Sequence, residues 1–171
     1  MEDFNLETPL EILKRIANLK TKPSKWDSSS FGFIKSLPTS NIGEVGEEFI
    51  FEMCVKLIDK ETERNPHARD EYDVKILKKK VEVKTATEDT SGSFQFNGIR
   101  YHRKYDYLLV LGISPENIYF NFYTGSDVKS QKIGNLVSME KGAVGSQKLT
   151  RKKSQLHDIS RFKEILNKEL K

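Results

Sequence analysis

The feature that most limits what this chain can become is a pair of strand-like runs, Tyr72-Asp73-Val74-Lys75-Ile76-Leu77 and Lys80-Val81-Glu82-Val83-Lys84-Thr85, joined by a lysine-rich turn. Side chains alternate between faces along a strand. Val81, Val83 and Thr85 therefore share one face of the second run, while Glu82 and Lys84 emerge together on the other. If Asp73 faces them across the hairpin, two carboxylates make a hard-oxygen site suited to Mg²⁺. That ion takes one or two carboxylates and leaves its other positions to water and a substrate phosphate. On these residues alone a plainer alternative stays open, because cross-strand Asp, Glu and Lys often only solvate an exposed face.

The segment in front of the hairpin adds to the pattern. From Asn41 to Ile58, the residues Ile42, Val45, Phe49, Met53 and Leu57 recur at helical spacing, which predicts an amphipathic helix packed on a sheet. Asn41 is placed to cap its start, Glu44 to complete a capping box, and Gly43 and Gly46 to allow close backbone approach. Glu44, Glu47 and Glu48 all sit near the N-terminus, where carboxylates oppose the helix dipole. Glu47 is the one singled out for chemistry.

A helix carrying Gly43-x-x-Gly46-Glu47, then Asp73, then Glu82-Val83-Lys84, in that chain order, resembles the PD-(D/E)xK nuclease superfamily. The superfamily includes many restriction endonucleases, archaeal Holliday-junction resolvases and mismatch-repair nicking enzymes. The resemblance spans about residues 40 to 125. It implies that Asp73, Glu82 and the Val83 carbonyl ligand Mg²⁺, with Mn²⁺ able to substitute. It also implies that Lys84 orients or activates the attacking water and that Glu47 is a helix carboxylate supporting a coordinated water. Tyr72 stands where a proline often precedes the aspartate, a departure from the family pattern.

Size and composition agree with this. The chain has 171 residues, enough for one ordinary domain, read as an N-terminal helix and packed loop over 1–40, a catalytic core over 41–125 and a basic segment with a helix over 129–171. No stretch of eighteen or more apolar residues and no signal-peptide pattern appears, so a cytoplasmic location away from membranes is expected. Cys54, the single cysteine, excludes an internal disulfide and reads as a small buried hydrophobe. Net charge is +4, but it is unevenly spread: residues 129–171 carry eleven Lys and Arg against four Asp and Glu. The densest part, Lys148 to Gln155, mixes Lys148, Arg151, Lys152 and Lys153 with hydroxyl and amide donors, a set suited to phosphate oxygens or, more plainly, to a solvated face.

Along the chain, Thr8 and Pro9 open a short helix through Leu19, and 21–40 reads as a loop whose Trp26, Phe31, Phe33 and Ile34 pack down. The stretch from Thr85 to Ser93 reads as a polar loop, and Phe94 to Tyr101 as a short helix or irregular structure. Tyr105–Ile113 is nearly all apolar and predicts a buried central strand. Ile118–Tyr123 should return as another strand, and Asp158–Leu170 as a helix. The fold class expected is α/β, or α+β with a mixed sheet. The resemblance implies a restriction-endonuclease-like core, a central mixed sheet flanked by helices.

Gln95, Asn97 and Arg100 carry the amide and guanidinium forks that read base edges, although an ordinary polar loop has the same composition. His67, His102 and His157 lack metal-ligand spacing, and Phe94, Phe96 and Tyr101 suit packing better than base stacking. The reading that results is an Mg²⁺-dependent endonuclease acting on double-stranded DNA, foremost a Type II restriction enzyme, working as a homodimer and paired with a DNA methyltransferase. A repair or junction-resolving nuclease, or a non-catalytic DNA-binding module, is the alternative.

Overall fold

The computed structural model describes residues 8–20, 24–65, 71–134, 136–139 and 145–170. In chain order the elements are α1 (Pro9–Lys20), α2 (Gly32–Lys35), α3 (Thr39–Leu57), β1 (Glu63–Arg64), β2 (Val74–Ile76), β3 (Lys79–Thr87), β4 (Ser93–Arg100) and β5 (Tyr107–Ile113). There follow β6 (Ile118–Thr124), α4 (Gly125–Lys129), β7 (Leu136–Ser138), β8 (Ser146–Lys152), β9 (His157–Asp158) and α5 (Phe162–Glu169). Among the described residues no helix is long and apolar enough to cross a membrane.

The central sheet has six strands in the order β1-β2-β3-β5-β6-β9. β3 and β5 run parallel and the other neighbouring pairs antiparallel, so the sheet is mixed. The apolar run read from the sequence is indeed its middle: β5 alternates Leu109 and Leu111 onto one face with Leu108 and Val110 onto the other, and all four are buried. The first pair packs with Ile50 and Cys54 of α3 and Phe162 and Leu166 of α5. This mixed α/β arrangement, a central sheet with helices packed on it, matches the restriction-endonuclease-like architecture.

Leu108 and Val110 meet a second, three-stranded sheet, ordered β4-β8-β7, through Phe94, Phe96 and Leu149. A parallel strand pair needs a crossover, usually helical. Here the crossover from β3 to β5 is β4, a strand, which corrects the expectation of a short helix or irregular structure over Phe94–Tyr101. Alternation is the physical reason: Phe94, Phe96 and Ile99 are buried while Gln95 and Asn97 are exposed, with a bulge at Gly98 (φ 75°) restoring the phase. The layer is tight enough that a Cβ on Gly112 of β5 would lie 2.9 Å from the Phe94 ring.

Several boundaries move. α3 begins at Thr39 behind Pro38 with no side-chain cap, so Asn41 sits inside the first turn and caps nothing. Its deepest stripe is Ile42, Gly46, Ile50 and Cys54, one step round from the predicted face, and Val45 is exposed. Gly46 does permit close approach, since a Cβ there would come within 1.9 Å of Thr85 Oγ1; Gly43 has open space around it. Thr85–Thr87 continue β3 rather than opening a loop. The C-terminal helix starts at Phe162, because Asp158 belongs to β9 and caps a turn through Ser160 N. At the other end, Thr8 and Glu11 form the expected cap reciprocally, the Thr8 N–H donating to Glu11 Oε2 at 2.7 Å and the Glu11 N–H to Thr8 Oγ1 at 3.3 Å.

Candidate active site

β3 runs for nine residues, yet β2 accompanies it only from Lys79 to Val81. Beyond that point β3 pairs with β5 alone, through Thr87. Asp73, just before β2, stands at the parting. Its N–H donates to the Val81 carbonyl at 3.0 Å, and its carboxylate accepts the Val83 N–H at 2.7 Å, in place of a strand partner.

Glu82 and Lys84 lie on the face of β3 opposite Val81 and Val83, as alternation requires. Lys84 Nζ is 2.5 Å from Glu82 Oε1 and donates to the Val83 carbonyl at 3.1 Å. Arg103 Nη1 is 3.7 Å from the same Glu82 oxygen. Glu82 is only 1% exposed, and its Oε2 is buried without a hydrogen-bond partner. Burial raises its carboxyl above the ordinary range, opposed chiefly by the Lys84 ammonium. The Tyr105 hydroxyl is likewise buried and unpartnered, and burial, then the Glu82 charge, raises it.

Glu47 reaches the same region from α3. Its carboxyl is pushed up to about 7 by burial first and the Asp73 charge second, with Lys84 and Arg64 pulling the other way. An electrostatic hub thus joins Asp73, Glu82, Lys84 and Glu47, the four residues singled out in the sequence. Glu47, Val83 and Lys84 line an open cleft of about 430 Å³ together with Lys35, Thr85, Gln95 and Asn97; Asp73 and Glu82 are not among its lining residues. Among the described residues no three His, Cys, Asp or Glu side chains are grouped closely enough to form a ready metal cage. Instead, the carboxylates are held by an amine and a backbone N–H.

The residues expected to touch DNA divide. Gln95 and Asn97 come to the cleft, and Arg100 follows at the far end of β4. Lys148 and Lys152 lie on the same side of the second sheet as Gln95, whereas Arg151 points inward and is 9% exposed. Its Nη1 donates to the Thr150 carbonyl at 2.9 Å, its Nε to Tyr123 Oη at 3.3 Å, and its guanidinium sits 6.0 Å from the Tyr123 ring centroid. Lys153 Nζ lies 3.1 Å from Glu88 Oε2 and also pairs with Glu116. Lys35 was not singled out in the sequence. Its Nζ donates to Thr87 Oγ1 at 3.0 Å at the cleft and lies 5.7 Å from the Trp26 ring centroid. No motif marks it, since α2 is a single turn in a segment read as loop. His102 packs edge-on against Tyr101 and His157 against Phe120, while His67 lies outside the described residues.

No family model matches the chain, and no curated protein does. Among solved structures it is similar to a bacterial homing endonuclease, I-Ssp6803I, with 14% sequence identity and a TM-score of 0.48, over 78% of this chain and 97% of that one.

Proposed function

We propose that the protein is an Mg²⁺-dependent endonuclease of double-stranded DNA, and foremost a Type II restriction enzyme. The observation that carries this reading is the meeting of Asp73, Glu82, Lys84 and Glu47 where β2 parts from β3. A buried ion-paired cluster with a carboxylate oxygen left unpartnered is costly as architecture, and perturbed carboxylates beside a cleft are where function concentrates.

The donor set fits a hard divalent cation. Asp73, Glu82 and the Val83 carbonyl offer oxygen only, and the unpartnered Glu82 Oε2 is an orphan that a cation would satisfy. These three would hold the ion. When bound, it supplies a Lewis acid for the phosphoryl oxygens and lowers the pKa of attacking water. Lys84 then exchanges its bond to Glu82 for the water and the developing phosphorane charge, which it stabilises. Glu47, with a carboxyl pushed up to about 7, would support a water at the site and take the proton that the attacking water gives up. The Val83 N–H fixes one oxygen of Asp73 and so its orientation.

Cutting both strands of a short duplex site suits a homodimer, whose twofold axis delivers one such cluster to each strand. A restriction role would bring a DNA methyltransferase as functional partner, which inspection of the neighbouring genes checks. Incubating plasmid and viral DNA with the protein and Mg²⁺, then sequencing the ends, tests the whole reading. One repeated end sequence is expected. Cuts that follow branched structure rather than sequence would reassign it to junction resolution, and no cuts at all would leave a DNA-binding module.

A further inference from the structure

We propose that the outer face of the β4–β8 pair reads base edges in the major groove of B-form DNA. The inference rests on the nuclease reading for its substrate class and adds how that substrate is recognised. Its first support is register. β4 pairs with β8 antiparallel, Gln95 opposite Thr150, Ser93 opposite Lys152 and Arg100 opposite Ser146. Directly opposed residues share a face. Gln95, Asn97 and Arg100 therefore form one row and Lys152, Thr150 and Lys148 the row beside it. The other face, Phe94, Phe96 and Leu149, is sealed in the core.

The second support is exposure and continuity. Gln95, Asn97, Thr150 and Lys152 are exposed, and Gln95 and Asn97 also line the cleft that holds Glu47 and Lys84. The row thus begins at the proposed site of chemistry and leads away from it. β7 accompanies β8 only from Gln147 to Leu149, so the end nearest the cleft is a two-stranded ribbon. The major groove of B-form DNA admits such a ribbon, and amide and guanidinium forks match adenine and guanine edges there. From Gln95 to Arg100 the strand extends about 15 Å, the rise of roughly four base pairs. Lys148 and Lys152 flank the row as phosphate contacts, with Thr150 at its centre. An A-form RNA duplex is excluded as ligand, because its major groove is too deep and narrow for side chains to read.

The test is selection from a random duplex DNA library by the full chain in Ca²⁺, with binding titrations at several salt concentrations and a duplex RNA of matched length. The wild type is expected to enrich a short motif and to bind the RNA at least tenfold more weakly. Gln95→Ala and Asn97→Ala should each relax one or two motif positions and lose roughly tenfold or more affinity on the motif, with little change on random DNA. The pair Lys148→Ala and Lys152→Ala should weaken all sequences alike and flatten the salt slope by about two. A motif unaltered in both amide variants, or equal affinity for RNA, overturns the inference. The two readings fail separately: Mg²⁺-dependent cutting whose sequence preference ignores Gln95, Asn97 and Arg100 retains the nuclease and removes the reader. A motif that depends on them in a protein that never cuts retains the reader and removes the nuclease.

Discussion

The Asp73 carboxylate takes the Val83 N–H at 2.7 Å at the point where β2 stops pairing with β3. One side chain thus closes the ladder, and its charge acts on both Glu82 and Glu47. Asp73→Ala should abolish Mg²⁺-dependent cleavage while DNA binding in Ca²⁺ survives. It should also cost about 1 kcal/mol of stability, the usual net worth of one hydrogen bond. Plasmid nicking and denaturant titration on the same preparation check both parts, and near-normal cutting by the variant would remove Asp73 from the site.

Lys84→Ala should slow single-turnover cleavage by about 10²-fold or more, the scale for losing one electrostatic or proton-transferring group. Its removal also strips Glu82 of its nearest cation, at 2.5 Å, so the buried carboxyl should protonate more readily. An unchanged single-turnover rate would make Lys84 a structural partner of Glu82 and nothing more.

Glu47 predicts a pH dependence of stability in metal-free buffer. Its folded-state carboxyl is raised from 4.5 to about 7, so the folded form binds the proton more tightly than the unfolded one. Relative to a neutral side chain, Glu47 costs nothing below pH 4.5, where both states hold the proton, and its ionisation penalises the fold increasingly as pH rises from 4.5 through about 7. Glu47→Gln should therefore raise the melting temperature at pH 8 more than at pH 5. Melting curves in EDTA across that range decide the matter: a difference between wild type and variant that stays flat with pH would show that Glu47 is not perturbed.

Gly46 sets the distance between α3 and β3. A methyl there would overlap Thr85, its Cβ within 1.9 Å of Oγ1 and 2.7 Å of Cβ, so rotation of one hydroxyl cannot relieve it. Gly46→Ala should cost about 1–3 kcal/mol, the range for overpacking. Because Glu47 and Lys84 are the next residues along on either side, cleavage should fall as well. Gly43→Ala meets open space and should do neither. Thermal melts and nicking rates of the two variants side by side make the comparison.

What the sequence disclosed and what it hid follow from range. The alternation Val81-Glu82-Val83-Lys84 is local, so the strand β3 and the shared face of Glu82 and Lys84 were legible, while Asp73 lies just before β2 rather than on it. The apolar run over Tyr105–Ile113 likewise disclosed the central strand, which begins two residues later at Tyr107. Phe94 to Arg100 was ambiguous because its partner, β8, lies some fifty residues on, and a seven-residue run with a Gly98 bulge breaks period two. Helix spacing in α3 also misled by one step: Val45 fits the stripe, but the space against Thr85 admits only Gly46, and that is a property of the partner strand.

The basic run of Arg151, Lys152 and Lys153 gives the sharpest separation. In composition the three cations are alike, but alternation on β8 sends Arg151 inward onto Tyr123 and Lys152 outward. Arg151→Ala should therefore lower stability by about 1–2 kcal/mol, through a lost cation–π contact and two hydrogen bonds. It should leave the salt slope of DNA binding unchanged. Lys152→Ala should do the reverse, reducing the slope by about one unit with no change in melting temperature. Melting curves and salt titrations of the two single variants measure this exchange of roles. A salt slope that falls in Arg151→Ala while its stability holds would mean that the guanidinium leaves Tyr123 to meet phosphate.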